Sequence, residues 1–158
     1  MANIKAEYGT STVITVTPDS LGSFALREST AIDNSTNKFL DAFVGGKLTT
    51  GTSPTVNTTI VIYAYGSVDG GSTYTGGATG SDAAYSALEE VNMKVLVVIS
   101  VTATSNKTYE FGPVSVARLF GGHLPTHWGI IIENRTGVAL NATGSNHEVR
   151  YQGIYETV

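Results

Sequence analysis

Between Lys107 and Tyr155 the chain alternates short β-branched and aromatic runs with residues that cannot continue a helix. The runs KTYEF, VSVARLF, HWGIII and HEVRYQGIY are separated by Gly112-Pro113, Gly121-Gly122-His123-Leu124-Pro125, Asn134-Arg135-Thr136-Gly137 and Ser145-Asn146. Proline removes a backbone donor and clashes with the preceding helical turn, and glycine favours turns, so this half of the chain is restricted to strands joined by tight connections. Asn134 to Gly137 reads as a hairpin turn with VALNATG (138–144) as its return strand, and Gly153 as a bulge. Gly112-Pro113, Gly121-Gly122 and Pro125 are expected to set where the chain crosses between sheets or exposes the loop ARLFGGHLPTH. Phe120 and Leu124 flank the double glycine and are costly in water, which makes Phe120, Gly121, Gly122 and Leu124 candidates for a subunit contact.

The rest of the chain keeps this rhythm, with strands roughly every 8–14 residues. IKAEY (4–8) and TVITV (12–16) alternate around Gly9, a bend or bulge, and Leu21, Phe24 and Leu26 alternate in part. Lys38–Thr50 places Leu40, Ala42 and Val44 on one face, and Gly45-Gly46 would end any helix early, so a strand is expected. TTIVIYAYG (58–66) is apolar on both faces and reads as an interior strand. KVLVVISVT (94–102) is likewise buried. SDAAYSALEEV (81–91) is the one helical candidate. The expectation is an all-β chain: one antiparallel β-sandwich domain over residues 1–158, jelly-roll-like, with at most one short helix and residues 1–10 as an extended arm.

Charged residues make up 14% of the 158 residues, well below the usual quarter or so. The net charge of −4 argues against a nucleic-acid binder, which needs Lys and Arg to neutralise phosphates. With no cysteine there is no disulfide and no thiolate chemistry. No apolar run is long enough to span a membrane, and MANIKAEYG lacks the apolar core of a secretory signal. A neutral Thr/Gly/Tyr surface suits a chain that packs against neighbours.

Motifs that would carry chemistry are weak. His123 and His127 have the H-x3-H spacing of a helical metal pair, but Pro125 rules against the helix, and loop histidines are expected instead. Asp69-Gly70-Gly71 reads as a tight turn; the calcium-loop and P-loop patterns are absent. Neither G-x-S-x-G nor H-E-x-x-H occurs, and Glu89-Glu90 point in different directions on a helix. No catalytic residue, metal ligand or cofactor site is assigned, and no enzyme is expected. Five N-x-[ST] matches, at Asn34, Asn57, Asn106, Asn134 and Asn141, follow from abundant Ser and Thr. Tyrosines suit interfaces or sugar platforms; Trp128, running into Gly129-Ile130-Ile131-Ile132, reads as core.

Four stretches, AIDNSTNKFLDAFV (31–44), VIYAYGSVDGGSTYT (61–75), PVSVARLFGGHLPTHWGIIIENRTGVAL (113–140) and VRYQGIYE (149–156), resemble small cysteine-free virion structural proteins of tailed bacteriophages, most of all capsid decoration (cement) proteins. The resemblance implies a non-enzymatic β-sandwich on the capsid surface, made in the host bacterial cytoplasm. It implies a homo-oligomer, with a trimer favoured, bound to the phage major capsid protein and to neither nucleic acid nor membrane. Residues 1–8 or the 66–82 loop would then touch the capsid, adding Tyr8 and Tyr74 to the candidate contacts. The alternatives are a tail, neck or fibre component, or a carbohydrate-binding module.

Overall fold

In the computed structural model, which describes residues 3–86 and 93–157, every extended element is antiparallel. In chain order the strands are β1 (Lys5–Tyr8), β2 (Thr12–Val13), β3 (Leu26–Glu28), β4 (Ile32–Asp33), β5 (Asp41–Thr49), β6 (Thr58–Ser67), β7 (Ala83–Tyr85), β8 (Lys94–Val101), β9 (Thr108–Ser115), β10 (His127–Asn134) and β11 (Glu148–Thr157). Sheet A has the order β1-β11-β5-β9, with β2 also on β11; sheet B has the order β7-β3-β10-β6-β8, with β4 also on β10. The two sheets pack as a sandwich, and the expected all-β architecture is present.

The alternation in the sequence explains the core. Ala42, Val44 and Leu48 of β5 and Val149 of β11 face Ile60, Ile62 and Ala64 of β6 and Trp128, Ile130 and Ile132 of β10 across the sandwich. The opposite face of β6, with Val61, Tyr63 and Tyr65, packs with Leu26, Ile131, Ala78, Tyr85 and Met93 into a second cluster. Sheet B is therefore apolar on both faces, as the continuous TTIVIYAYG run requires. The segment after β6 covers that outer face over β3, β6 and β10 but not over the edge strand β8, where Val95 and Val98 are about half exposed, so the expected burial of 94–102 on both faces does not hold.

Several local readings are corrected. Ala83–Tyr85, inside the helical candidate, is a strand paired with Leu26–Glu28, because Tyr85 joins the second cluster; residues 87–91 of that candidate lie outside the described residues. Gly112-Pro113 does not end a strand: β9 runs through it, with a bulge opposite Val44 and Gly46 and a cis peptide bond. Gly112 has φ 86°, and a Cβ there would sit 2.4 Å from the Val44 carbonyl oxygen, so only glycine fits. VALNATG forms no return strand beyond a single bridge from Leu140 to Thr50. Gly153 pairs in unbroken register with Ala42; it is glycine because the Phe39 ring lies 2.2 Å from where its Cβ would be. Gly9 itself stays in register, its N–H bonding the Gly153 carbonyl, and the extra residue that separates the Tyr8–Ile154 pair from the Thr12–Tyr151 pair lies just after it, at Thr10-Ser11. The crossing from sheet A to sheet B runs through Val116–Thr126, where Ala117–Phe120 makes a 3-10 turn capped by Gly121 in the left-handed region.

Candidate contact surfaces

The most unusual exposed side chain is Phe24, which sequence alternation places in a strand. The residue is 73% exposed and its backbone has φ 61°. A bulky side chain in that region is strained by about 1–2 kcal/mol, so its surroundings must hold it there. They do. The Phe24 N–H donates to the Asn134 carbonyl at 2.6 Å, and the Asn134 N–H donates to the Ala25 carbonyl at 3.1 Å. The fully buried Asn134 side chain donates from Nδ2 to the carbonyls of Leu21 (2.8 Å) and Val138 (2.7 Å). Its Oδ1 accepts from Thr136 N (3.0 Å) and Oγ1 (2.7 Å). Beside it, buried Glu133 accepts from Tyr63 Oη and Arg135 Nε. The 20–25 loop is thus fastened to the end of β10, with one aromatic ring held outward. The only sequence signal for this was an aromatic beside Gly22 and Ser23 that breaks strict alternation.

The 66–82 loop is tied to its own sheet. Asp69 accepts from Ser67 Oγ and from Ser72 N, Thr73 N and Thr73 Oγ1, which closes the Gly70-Gly71 turn. Tyr74 stands edge-on to Tyr65 at 5.3 Å, and buried Glu28 accepts from Thr79 N and Oγ1. Asp82 pairs with Arg27 at 2.6 Å and accepts from Thr17 N and Oγ1. The Ser67 and Thr73 hydrogen bonds hold the Asp69 carboxyl below the usual carboxylate range. Burial opposes the same shift at Asp82, but its Arg27 and Thr17 partners prevail and lower it. A depressed folded-state value means stabilisation that is whole above the unfolded carboxylate value of about 3.9 and is lost as pH falls through the folded value. Denaturation midpoints are therefore expected to drop as the pH falls below about 4, with a shallower acid dependence in Asp69→Asn and Asp82→Asn.

The residues singled out by sequence lie in three places. Gly121 and Gly122 are exposed, whereas Phe120 and Leu124 are half-buried against the main core. The Phe120 ring covers Gly66, where a Cβ would meet it at 2.9 Å. Leu124 lines an open, largely apolar groove of about 350 Å³ with Asn34, Lys38, Phe39, Leu40 and His123. The Leu124 N–H donates to Leu40 O, the Leu40 N–H donates to Ile154 O, and Ile154 pairs with Tyr8, so Leu124 and Tyr8 belong to one end of sheet A. Tyr8 is 58% exposed, with its ring 6.4 Å from Phe43. Tyr74 is apart, on the outer face of sheet B.

The histidines have separate fates. His123 is exposed, and His127 Nε2 lies 3.6 Å from Asp33 Oδ1. His147 is buried: its Nδ1 accepts from Thr49 N and its Nε2 donates to Asn141 O, which fixes the tautomer. Among the described residues no three acidic or histidine side chains converge as metal ligands. Trp128, Tyr63, Tyr65 and Tyr85 are buried and offer no platform for a sugar ring. Asn34 and Asn134, two of the N-x-[ST] matches, are buried in hydrogen-bonded turns. No helix among the described residues is long and apolar enough to cross a membrane. No protein-family model, curated protein or solved structure matches the chain.

Proposed function

We propose that this chain is a non-enzymatic structural protein of a tailed-bacteriophage virion, a decoration protein that binds the assembled major capsid lattice and stabilises it. The phage context rests on the resemblance of the four sequence stretches. The observation that carries a contact role is Phe24, an exposed aromatic kept at a conformational cost on a fastened loop. Rigid aromatic anchors lose little entropy on contact and dominate interface energies. Many polar groups that a catalytic reading would need are committed to the fold: Glu28, Glu133, Asp82 and His147 each hold a loop or strand end. A protein that binds the assembled lattice and not its free subunits stabilises it by mass action, and many copies multiply the effect.

Phe24→Gly separates contact from folding. Glycine relieves the left-handed strain and adds unfolded-state entropy, so folding stability is expected to change by between zero and about 1 kcal/mol in the stabilising direction. Occupancy on purified particles is expected to fall about tenfold or more, as for a central aromatic anchor. Unchanged occupancy removes Phe24 from the contact. Quantitative mass spectrometry of particles is expected to find on the order of hundreds of copies; about six to twelve would place the chain in the tail or neck instead.

A further inference from the structure

The outer edge of sheet A carries a second kind of surface. β1 hydrogen-bonds to β11 on one side and, among the described residues, is the terminal strand of its sheet on the other. The Gly9 N–H bonds the Gly153 carbonyl, and Gly9 faces Gly153 in the register of β1, so that pair is a hydrogen-bonded one. In an antiparallel ladder the bonded positions alternate, so Glu7 and Lys5 also direct their backbone groups to β11. Ile4, Ala6 and Tyr8 therefore present their N–H and C=O groups to the free edge. All four residues of β1 are exposed, and Ile4 and Tyr8 leave 67% and 58% of their surface in water.

The residues along this edge are complementary to themselves read backwards. With a two-fold axis at Ala6, Ile4-Lys5-Ala6-Glu7-Tyr8 laid antiparallel on its own copy sets Ala6 against Ala6, Lys5 against Glu7 and Ile4 against Tyr8. The hydrogen-bonded pairs in that register are Ile4 with Tyr8 and Ala6 with Ala6, the positions whose backbone groups are free. Lys5 and Glu7 fall at the non-bonded pairs, where opposite side chains come closest. The neighbouring registers with the same hydrogen-bond phase bring Lys5 against Lys5 or Glu7 against Glu7, and like charges directly opposite are unfavourable. Phase, charge and apolar pairing select one register. On the outer face Tyr8 already contacts Phe43, so the Ile4 of a second copy would extend that apolar strip.

We propose that β1 pairs with β1 of a second copy of this chain across a two-fold axis at Ala6, joining two A sheets into one continuous sheet. This contact is independent of what Phe24 binds. Being two-fold, it cannot close a trimer and would link a copy in one trimer to a copy in the next.

Sedimentation of the full chain over a range of concentrations tests it. The wild type is expected to dimerise reversibly. Ala6→Pro removes an N–H from the free edge while leaving the bonds to β11, and is expected to abolish the dimer with an unchanged circular dichroism spectrum. Lys5→Glu and Glu7→Lys each turn both cross-axis pairs repulsive and are expected to weaken dimerisation about tenfold. An equimolar mixture of the two single variants, and the double variant Lys5→Glu/Glu7→Lys, are expected to restore it. A wild type that stays monomeric at the highest concentration reached overturns the proposal. So does an oligomer indifferent to Ala6→Pro and to both charge reversals.

Discussion

Replacing Trp128 by alanine is expected to remove about 3–5 kcal/mol of stability, a large share of the roughly 5–15 kcal/mol that holds a domain folded. The side chain is fully buried on β10, between Ile32 of β4 and Gly66 of β6. Its ring meets Tyr151 of β11 edge-on at 5.4 Å and 84°, so it joins the two sheets as well as filling space between them. The cavity left by alanine would be walled by strands of both sheets, which can collapse only partly. Urea denaturation followed by circular dichroism should show a lower midpoint at unchanged slope. Trp128→Phe is a useful contrast. The indole Nε1 has no hydrogen-bond partner among the described residues, so phenylalanine orphans no acceptor and is expected to cost about 1–2 kcal/mol, mainly lost volume.

Asn134→Ala is the second large effect, expected at about 2–4 kcal/mol, because it removes four buried hydrogen bonds at once and leaves the Thr136 N–H without an acceptor. The carbonyls of Leu21 and Val138 each lose one of two donors, keeping Leu140 N and Thr136 Oγ1, while Thr136 N loses its acceptor at a fully buried position. Asn134→Asp is expected to be no better. The carboxylate still accepts from Thr136, but it turns an oxygen toward two carbonyl oxygens and buries a charge. Chemical denaturation gives the size of both effects. Hydrogen exchange gives their location: the Phe24 amide, bonded to the Asn134 carbonyl, should exchange faster in Asn134→Ala even where the core stays protected.

Asn134 also shows where sequence reasoning stops. Asn134-Arg135-Thr136-Gly137 has the composition of a hairpin turn, yet β10 is flanked by β6 on one side and by β3 and β4 on the other. With both edges occupied there is no place for a return strand, and the asparagine serves as a staple. That occupancy is a long-range fact which local turn chemistry does not carry. β6 was legible for the converse reason: apolar residues on both faces admit only an interior position, and the second cluster supplies the cover they need. Gly153 was misread because glycine in a strand has more than one cause, and here the cause is a ring from residue 39. Among the candidate contacts, Phe120 and Leu124 were singled out for the cost of leaving them in water. The fold meets it largely by turning both inward, while Phe24, marked in the sequence only by Gly22 and Ser23 beside it, faces out.

The position of β11 in sheet A has a consequence for synthesis. β11 lies between β5 and the β1–β2 edge, so both edge strands depend on a partner made long after them. All strands of sheet B have been translated once β10 has left the ribosome, but β1 and β2 have nothing in their own sheet to pair with until residues 148–157 emerge. Sheet B can therefore assemble on a nascent chain, while the edge that carries Ile4, Ala6 and Tyr8 takes shape last. Neighbouring chains on one polysome then lack the ordered edge through which finished copies would join, and association is deferred until each chain has folded.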